Sequence, residues 1–233
     1  MRKPSKTGFF DAVRDWRVGD VAAAVRERPD FVAVLDSLGR TALHVCARRA
    51  ARDAADVAAS LATAKALVKA GADVNAIQPI KEGDEVFPAT ALWYALAFGR
   101  NRPLASYLLK QHADPNHCMF AMAYADDPKS AKLLRRFGAG LEETAEGETP
   151  LIFAARHRRA KFMEWMLRGG ADPNGRDRRG FTALHHAVRR RLPDSTLRAL
   201  KKHGAGVRAT ATDGTSVADL ATRAQRRVLG IEP

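Results

Sequence analysis

Residues Glu148–Asp177 read ETPLIFAARHRRAKFMEWMLRGGADPNGRD. Thr149 is placed to cap a helix through its hydroxyl, and Pro150 suits a first helical turn, where no amide donor is needed. Leu151, Ala154 and Ala155 then fall on one helical face and are small enough for close approach of another helix. A second apolar face follows in Phe162, Met163, Met166 and Leu167, again at helical spacing. Gly169-Gly170 supplies the left-handed conformation that stops a helix, and ADPN opens a turn. The stretch is a helix, a turn, a second helix and a connecting loop.

The same plan recurs along the chain. TALH at Thr41 returns as TALW at Thr90, TPLI at Thr149, TALH at Thr182 and TSVA at Thr215, and the last two steps are each 33 residues. A second landmark follows each of these: GADVN at Gly71, HADPN at His112, GAGLE at Gly138, GADPN at Gly170 and GAGVR at Gly204. A single helix pair cannot bury its apolar face, so such units must stack on one another.

These features resemble the ankyrin repeat, whose units start a helix at Thr-Pro-Leu-His and end at Gly-Ala-Asp-x-Asn. The resemblance covers nearly the whole chain. It implies an all-α solenoid of stacked helix-turn-helix units joined by β-turn fingers. The expected organisation is a basic, solvated tail at 1–8 and one domain at 9–233, in units near 9–36, 37–76, 87–117, 118–143, 145–177, 178–211 and 212–233. The first and last read as caps. Two insertions break the period. An Ala-rich one at 50–60 is expected to lengthen a second helix or its entry loop, and one at 77–88 to extend a finger carrying three acidic residues.

Composition narrows function without naming it. No run of about 18 apolar residues is present to span a membrane, and the basic N-terminus lacks the apolar segment of a secretory signal. Cys46 and Cys118 are expected to be free thiols in a reducing, cytoplasmic setting. Frequent Arg and Ala are the usage of a GC-rich, bacterial gene. The net charge of +13 is uneven: residues 144–233 hold 18 Lys and Arg against 9 Asp and Glu. A field of that size draws acidic partners of any kind.

No Gly-rich phosphate loop, nucleophile elbow or zincin motif occurs, so no catalysis, cofactor or metal is expected. His112, His117 and Cys118 crowd together in HADPNHC but lack a fourth ligand for zinc. His44 and His185 stand at the repeat-wide fourth position of the Thr-x-Leu-His motif, where the resemblance implies a structural hydrogen bond. His186 fills a slot that is usually apolar and reads as a packed core residue.

The resemblance also implies which residues line the concave groove. They are Arg48, Arg49, Phe98, Tyr124, Arg156, His157, Arg189 and Arg190 on first helices, with Arg40, Arg178, Arg179 and Phe181 on fingers. The groove is thus expected to run from aromatic to basic towards the C-terminus. Two readings of the arginines stand together: a solvated face that favours helix C-termini by roughly 0.3–1 kcal/mol each, or a binding surface. Arg158 and Arg191 bear on the choice, because they occupy a slot where these repeats commonly carry glycine. The implied function is protein–protein interaction by a monomer, with an acidic protein as partner. Nucleic acid or another polyanion, such as an anionic membrane surface, is the alternative.

Overall fold

The computed structural model describes residues 4–82, 85–144 and 147–231. It divides into two compact units, residues 1–118 and 119–233. Gly83 and Asp84 of the acidic finger, Ala145 at the start of the fifth repeat, and the chain ends at 1–3 and 232–233 lie outside the described residues.

The first unit holds helices α1 (Lys6–Arg14), α2 (Val18–Glu27), α3 (Ala42–Arg48), α4 (Ala54–Lys69), α5 (Ala91–Ala97) and α6 (Arg102–Lys110), with a hairpin of β1 (Gln78–Glu82) and β2 (Glu85–Ala89). The odd-numbered helices pack side by side in one layer and the even-numbered ones in a second. The second unit repeats the plan with α7 (Met119–Ala125), α8 (Pro128–Arg136), α9 (Pro150–Arg156), α10 (Ala160–Arg168), α11 (Ala183–Arg189), α12 (Asp194–Lys202), α13 (Val217–Leu220) and α14 (Arg223–Leu229). Here α7, α9, α11 and α13 form one layer, and α8, α10, α12 and α14 face them as the other.

Small residues let these layers close. Ala42, Ala47, Ala91, Ala95, Ala123, Ala154, Ala155 and Ala187 are all essentially sealed from solvent. Gly99 is required for the same reason, since a Cβ there would strike the carbonyl oxygen of Ala47 on α3. Between repeats the landmark asparagines act as clips. Asn75 Nδ2 donates to the His112 carbonyl (3.0 Å), and its Oδ1 accepts from the Asp114 amide (2.8 Å). Asn174 repeats this with Gly204 and Gly206 at 2.9 and 2.8 Å.

His44 is fully buried at the start of α3. Its Nδ1 accepts from the Thr41 amide (3.1 Å), which leaves the proton on Nε2 to donate to the Ala89 carbonyl of the next repeat (3.2 Å). One ring therefore caps its own helix and ties down the following finger. His185 makes the same bond to the Thr182 amide (3.1 Å), but its buried Nε2 meets no acceptor at hydrogen-bonding geometry.

Five helices of the first layer, all but α3 and α13, are closed by a residue with left-handed backbone. These are Trp16 (φ 55°), Arg100 (46°), Asp126 (52°), Arg158 (61°) and Arg191 (53°). The following amide in each case bonds back across the turn, as Arg159 N–H does to the Ala154 carbonyl (2.8 Å) and Leu192 N–H to Ala187 (3.0 Å). This is the Schellman closure. The slot at Arg158 and Arg191 therefore does demand positive φ. Trp16 and Asp126 use their side chains for structure: Trp16 Nε1 donates to the Cys46 carbonyl (2.9 Å), and Asp126 Oδ1 accepts from the Phe162 amide (2.7 Å). Arg100, Arg158 and Arg191 are exposed.

Two features depart from the expected organisation, and a third falls within it. The tail at 1–8 is shorter than expected, because Ser5 Oγ accepts from the Gly8 amide (3.1 Å) and so starts α1 at Lys6. The long finger is an antiparallel hairpin in which Gln78 pairs with Ala89 and Glu82 with Glu85, so the fold is mostly rather than wholly helical. The Ala-rich insertion lengthens a helix: α4 has 16 residues where α6, α8, α10 and α12 have 9.

Two stability measurements follow. His44→Ala is expected to cost about 2 kcal/mol in urea denaturation, from a lost cap and an orphaned carbonyl, and an unchanged midpoint would contradict the assignment. Arg158→Gly and Arg191→Gly are each expected to raise stability by about 1 kcal/mol, the penalty a side chain carries in the left-handed region.

Candidate interaction surface

In the first unit the expected arginines are largely engaged in structure. Arg40 is nearly buried against Asp36, with its Nη2 2.7 Å from the carboxylate. Asp36 also accepts from the Leu38 and Arg40 amides (2.8 and 2.9 Å), so this arginine closes its own finger and does not line a groove. Arg49 stacks on the Trp16 ring at 4.4 Å and approaches Asp56 (3.8 Å), bracing neighbouring elements. Arg48 is exposed and lies 5.4 Å over the ring of Phe98. Phe98, 46% exposed, belongs to an aromatic group with Trp93 and Tyr94. Trp93 in turn touches Phe87 of the hairpin at 5.0 Å.

The second unit holds 22 Lys and Arg against 13 Asp and Glu. Its ring system starts at Tyr124 at the end of α7, 61% exposed, with the Arg159 guanidinium 5.3 Å above its ring. His157 stacks on Phe153 at 4.3 Å and lies 6.4 Å from Tyr124. Burial, and after it the charges of Arg156, Arg159 and Arg190, holds the His157 imidazole below its ordinary range. Arg156 pairs with Glu148 at 3.0 Å, and the Nε atoms of Arg156 and Arg159 are buried without a protein acceptor. Arg158, Arg159, Arg189, Arg190 and Arg191 form no ion pair among the described residues.

The finger of the sixth repeat turns on Asp177. Its Oδ1 accepts from the Arg179 and Phe181 amides (both 2.9 Å), and its Oδ2 accepts from His186 Nε2 (2.8 Å). Arg178 and Arg179 are thereby presented at the tip; Arg179 stacks on Phe181 (4.7 Å) and reaches towards Asp213 (3.7 Å). The side chain of Arg178 packs over Gly147. Phe181 itself is 4% exposed beneath this turn and rests on His185 and His186, so it presents almost no area to a partner. The residue before the capping threonine folds back over its finger, which is why Arg40 and Phe181 both point inward.

The His186–Asp177 pair is a tie that the motif reading did not contain. Tyr94, at the matching position of its repeat, likewise donates to its own finger, at Gln78 Oε1 (2.7 Å). The signal was an aspartate nine residues before the odd histidine. The His186 pKa is lowered, with burial the largest cause; Asp177 opposes the shift, and Arg156 and Arg189 add to it. Cys46 and Cys118 are buried and not joined in a disulfide, and burial pushes the Cys46 thiol up to about 12. Among the described residues no group of three or more His, Cys, Asp or Glu gathers as for a metal, and no helix is long and apolar enough to cross a membrane.

Stacked helix pairs with capping threonine-histidine bonds and clipped fingers define a class, the helical-repeat binding proteins. Family models identify the repeat. Ankyrin repeats in three copies match residues 118–213, and a further ankyrin repeat matches 38–78, together more than half of the chain. The chain belongs to the ankyrin-repeat family. It is similar to the human ASB11 ankyrin repeat domain over 97% of both chains (TM-score 0.74, 20% identity). It is also similar to the ankyrin repeat domain of Bcl-3, described as a unique member of the IkappaB protein family, over 96% of both (TM-score 0.74, 21% identity). A 77-residue stretch is 40% identical to the human neurogenic locus notch homolog protein 4, covering 33% of this chain and 4% of that protein's length. Ankyrin repeats generally mediate protein–protein interaction and are typically non-catalytic.

Three buried histidines give a pH dependence. The pKa values of His44, His185 and His186 are lowered, with burial the largest cause for each. The unfolded chain therefore binds more protons than the folded one once pH drops below about 6.5. Stability should be full above that pH and decline towards pH 5, read as a falling urea midpoint. A midpoint that rises on acidification would contradict the burial of neutral rings.

Proposed function

We propose that the protein is a non-catalytic, monomeric adaptor that holds an acidic surface of a protein partner against the basic face of its second unit. The observation that carries this is the absence of acids where the arginines end. Arg158, Arg159, Arg189, Arg190 and Arg191 close α9 and α11 without an ion pair among the described residues. Nearby acids are committed elsewhere: Asp126 to the Phe162 amide and Asp127 to the start of α8.

A purely stabilising role accounts for these arginines poorly. One cation at a helix C-terminus is worth roughly 0.3–1 kcal/mol, and the left-handed backbone at Arg158 and Arg191 costs about as much. Crowded like charges subtract further. Tyr124 and His157 add ring surface to the guanidinium groups, a composition enriched in protein interfaces. The buried Cys46 thiol, outside any disulfide, accords with a reducing, cytoplasmic setting.

The test is a double charge reversal, Arg189→Glu with Arg190→Glu. These two are exposed and unpaired, whereas reversing Arg156 would set a second carboxylate beside Glu148. Affinity capture from host lysate, read by mass spectrometry and nucleic-acid staining, should lose an acidic protein in the variant while the melting curve stays within a few degrees. Capture of nucleic acid released by moderate salt would overturn the reading, because neutralised phosphates give a steep salt dependence.

A further inference from the structure

Around His157 the charge is concentrated and oriented. The Arg156 guanidinium is anchored by Glu148 at 3.0 Å, and that of Arg159 by the Tyr124 ring at 5.3 Å. Arg190 caps α11, which packs beside α9, and its charge acts on the same imidazole. Phe153 holds the imidazole by stacking at 4.3 Å. Acids on these elements are engaged elsewhere: Glu148 serves Arg156, Glu164 pairs with Arg168 (2.6 Å), and Asp126 Oδ1 accepts from the Phe162 amide (2.7 Å). Two of the guanidinium groups also carry buried Nε–H donors without a protein acceptor.

We propose that the residues around His157 form a subsite for a phosphomonoester borne on a side chain of the partner protein. It rests on the acidic-partner reading and narrows it. A carboxylate brings one charge and two oxygens, whereas a phosphomonoester brings close to two charges and three strong acceptor oxygens. Planar guanidinium forks match such oxygens two at a time. A phosphodiester of nucleic acid carries a single charge per phosphate, so it leaves more of this cluster unbalanced. The imidazole adds to the discrimination. Shifted towards its neutral form by burial and, after that, by its cationic neighbours in the free protein, it gains a proton when a dianion arrives, and so contributes a further donor.

The experiment uses the full chain and four labelled probes: a seven-residue neutral peptide with one phosphoserine, the same peptide with Glu or with Ser at that position, and a seven-nucleotide single-stranded DNA. Fluorescence anisotropy should rank the phosphopeptide at least about tenfold tighter than the Glu peptide, equivalent to one further charge-assisted hydrogen bond. NMR should show the His157 pKa rising when the phosphopeptide is bound. Arg159→Ala with Arg190→Ala should abolish both effects at an unchanged circular dichroism spectrum. Arg190→Lys, which retains charge without the fork, should lower the preference for phosphoserine. Equal binding of the phosphoserine and Glu peptides would overturn this inference while leaving the acidic-partner reading standing. Tighter binding of the DNA would overturn it as well. If neither acidic peptide binds, and the Arg189/Arg190 reversal also fails to release a captured protein, both readings fall.

Discussion

A seven-residue helix does not survive alone in water, because nucleation is costly and a helix of two turns closes too few hydrogen bonds to recover that cost. Helices α3, α5, α7, α9 and α11 are all of this length. Each exists because a neighbour covers its apolar face, and each neighbour depends on the next. The requirement explains why the buried positions are so often alanine: backbones must approach closely for a short helix to bury enough surface. It also explains the placement of directional bonds. The threonine caps, the His44 bridge to Ala89 and the Asn75 and Asn174 clips lie at helix starts and repeat junctions, where stacking alone does not fix register.

The turns that end the two kinds of helix solve one problem differently. Helices of the second layer from α4 onward end on a left-handed residue, His112 after α6 and glycine in five cases, Gly71, Gly138, Gly170, Gly204 and Gly230, among the described residues. Five of the first layer, all but α3 and α13, end on tryptophan, aspartate or arginine in the same conformation. At Trp16 and Asp126 the side chain repays the strain with a bond to another repeat. At Arg158 and Arg191 no such bond forms among the described residues, and the strained residues add charge to a face already rich in it.

That face shows how a scaffold and a surface share residues. His157 closes α9 and His186 lies on α11, its neighbour in the layer, both shifted towards the neutral form, yet by different neighbours. His186 is locked to Asp177 and holds a finger in place. His157 sits among guanidinium groups with one ring face on Phe153. The first is committed to the fold, whereas the second is exposed and remains responsive to whatever anion approaches.

The sequence by itself determined the repeat, its caps and the two-helix plan, because these depend on local spacing: a threonine before a helix, a glycine after one, apolar residues at i and i+4. It also indicated that Arg158 and Arg191 stand in a glycine slot. Which arginines are free was decided only by tertiary structure. Arg40 folds onto Asp36, Arg49 onto Trp16, and Phe181 beneath its finger, while Arg159 reaches Tyr124 across the turn. The hairpin at 78–89 and the His186–Asp177 tie were hidden for the same reason. Position within a repeat sets where a backbone lies, but the direction and pairing of a long side chain depend on groups far away in sequence.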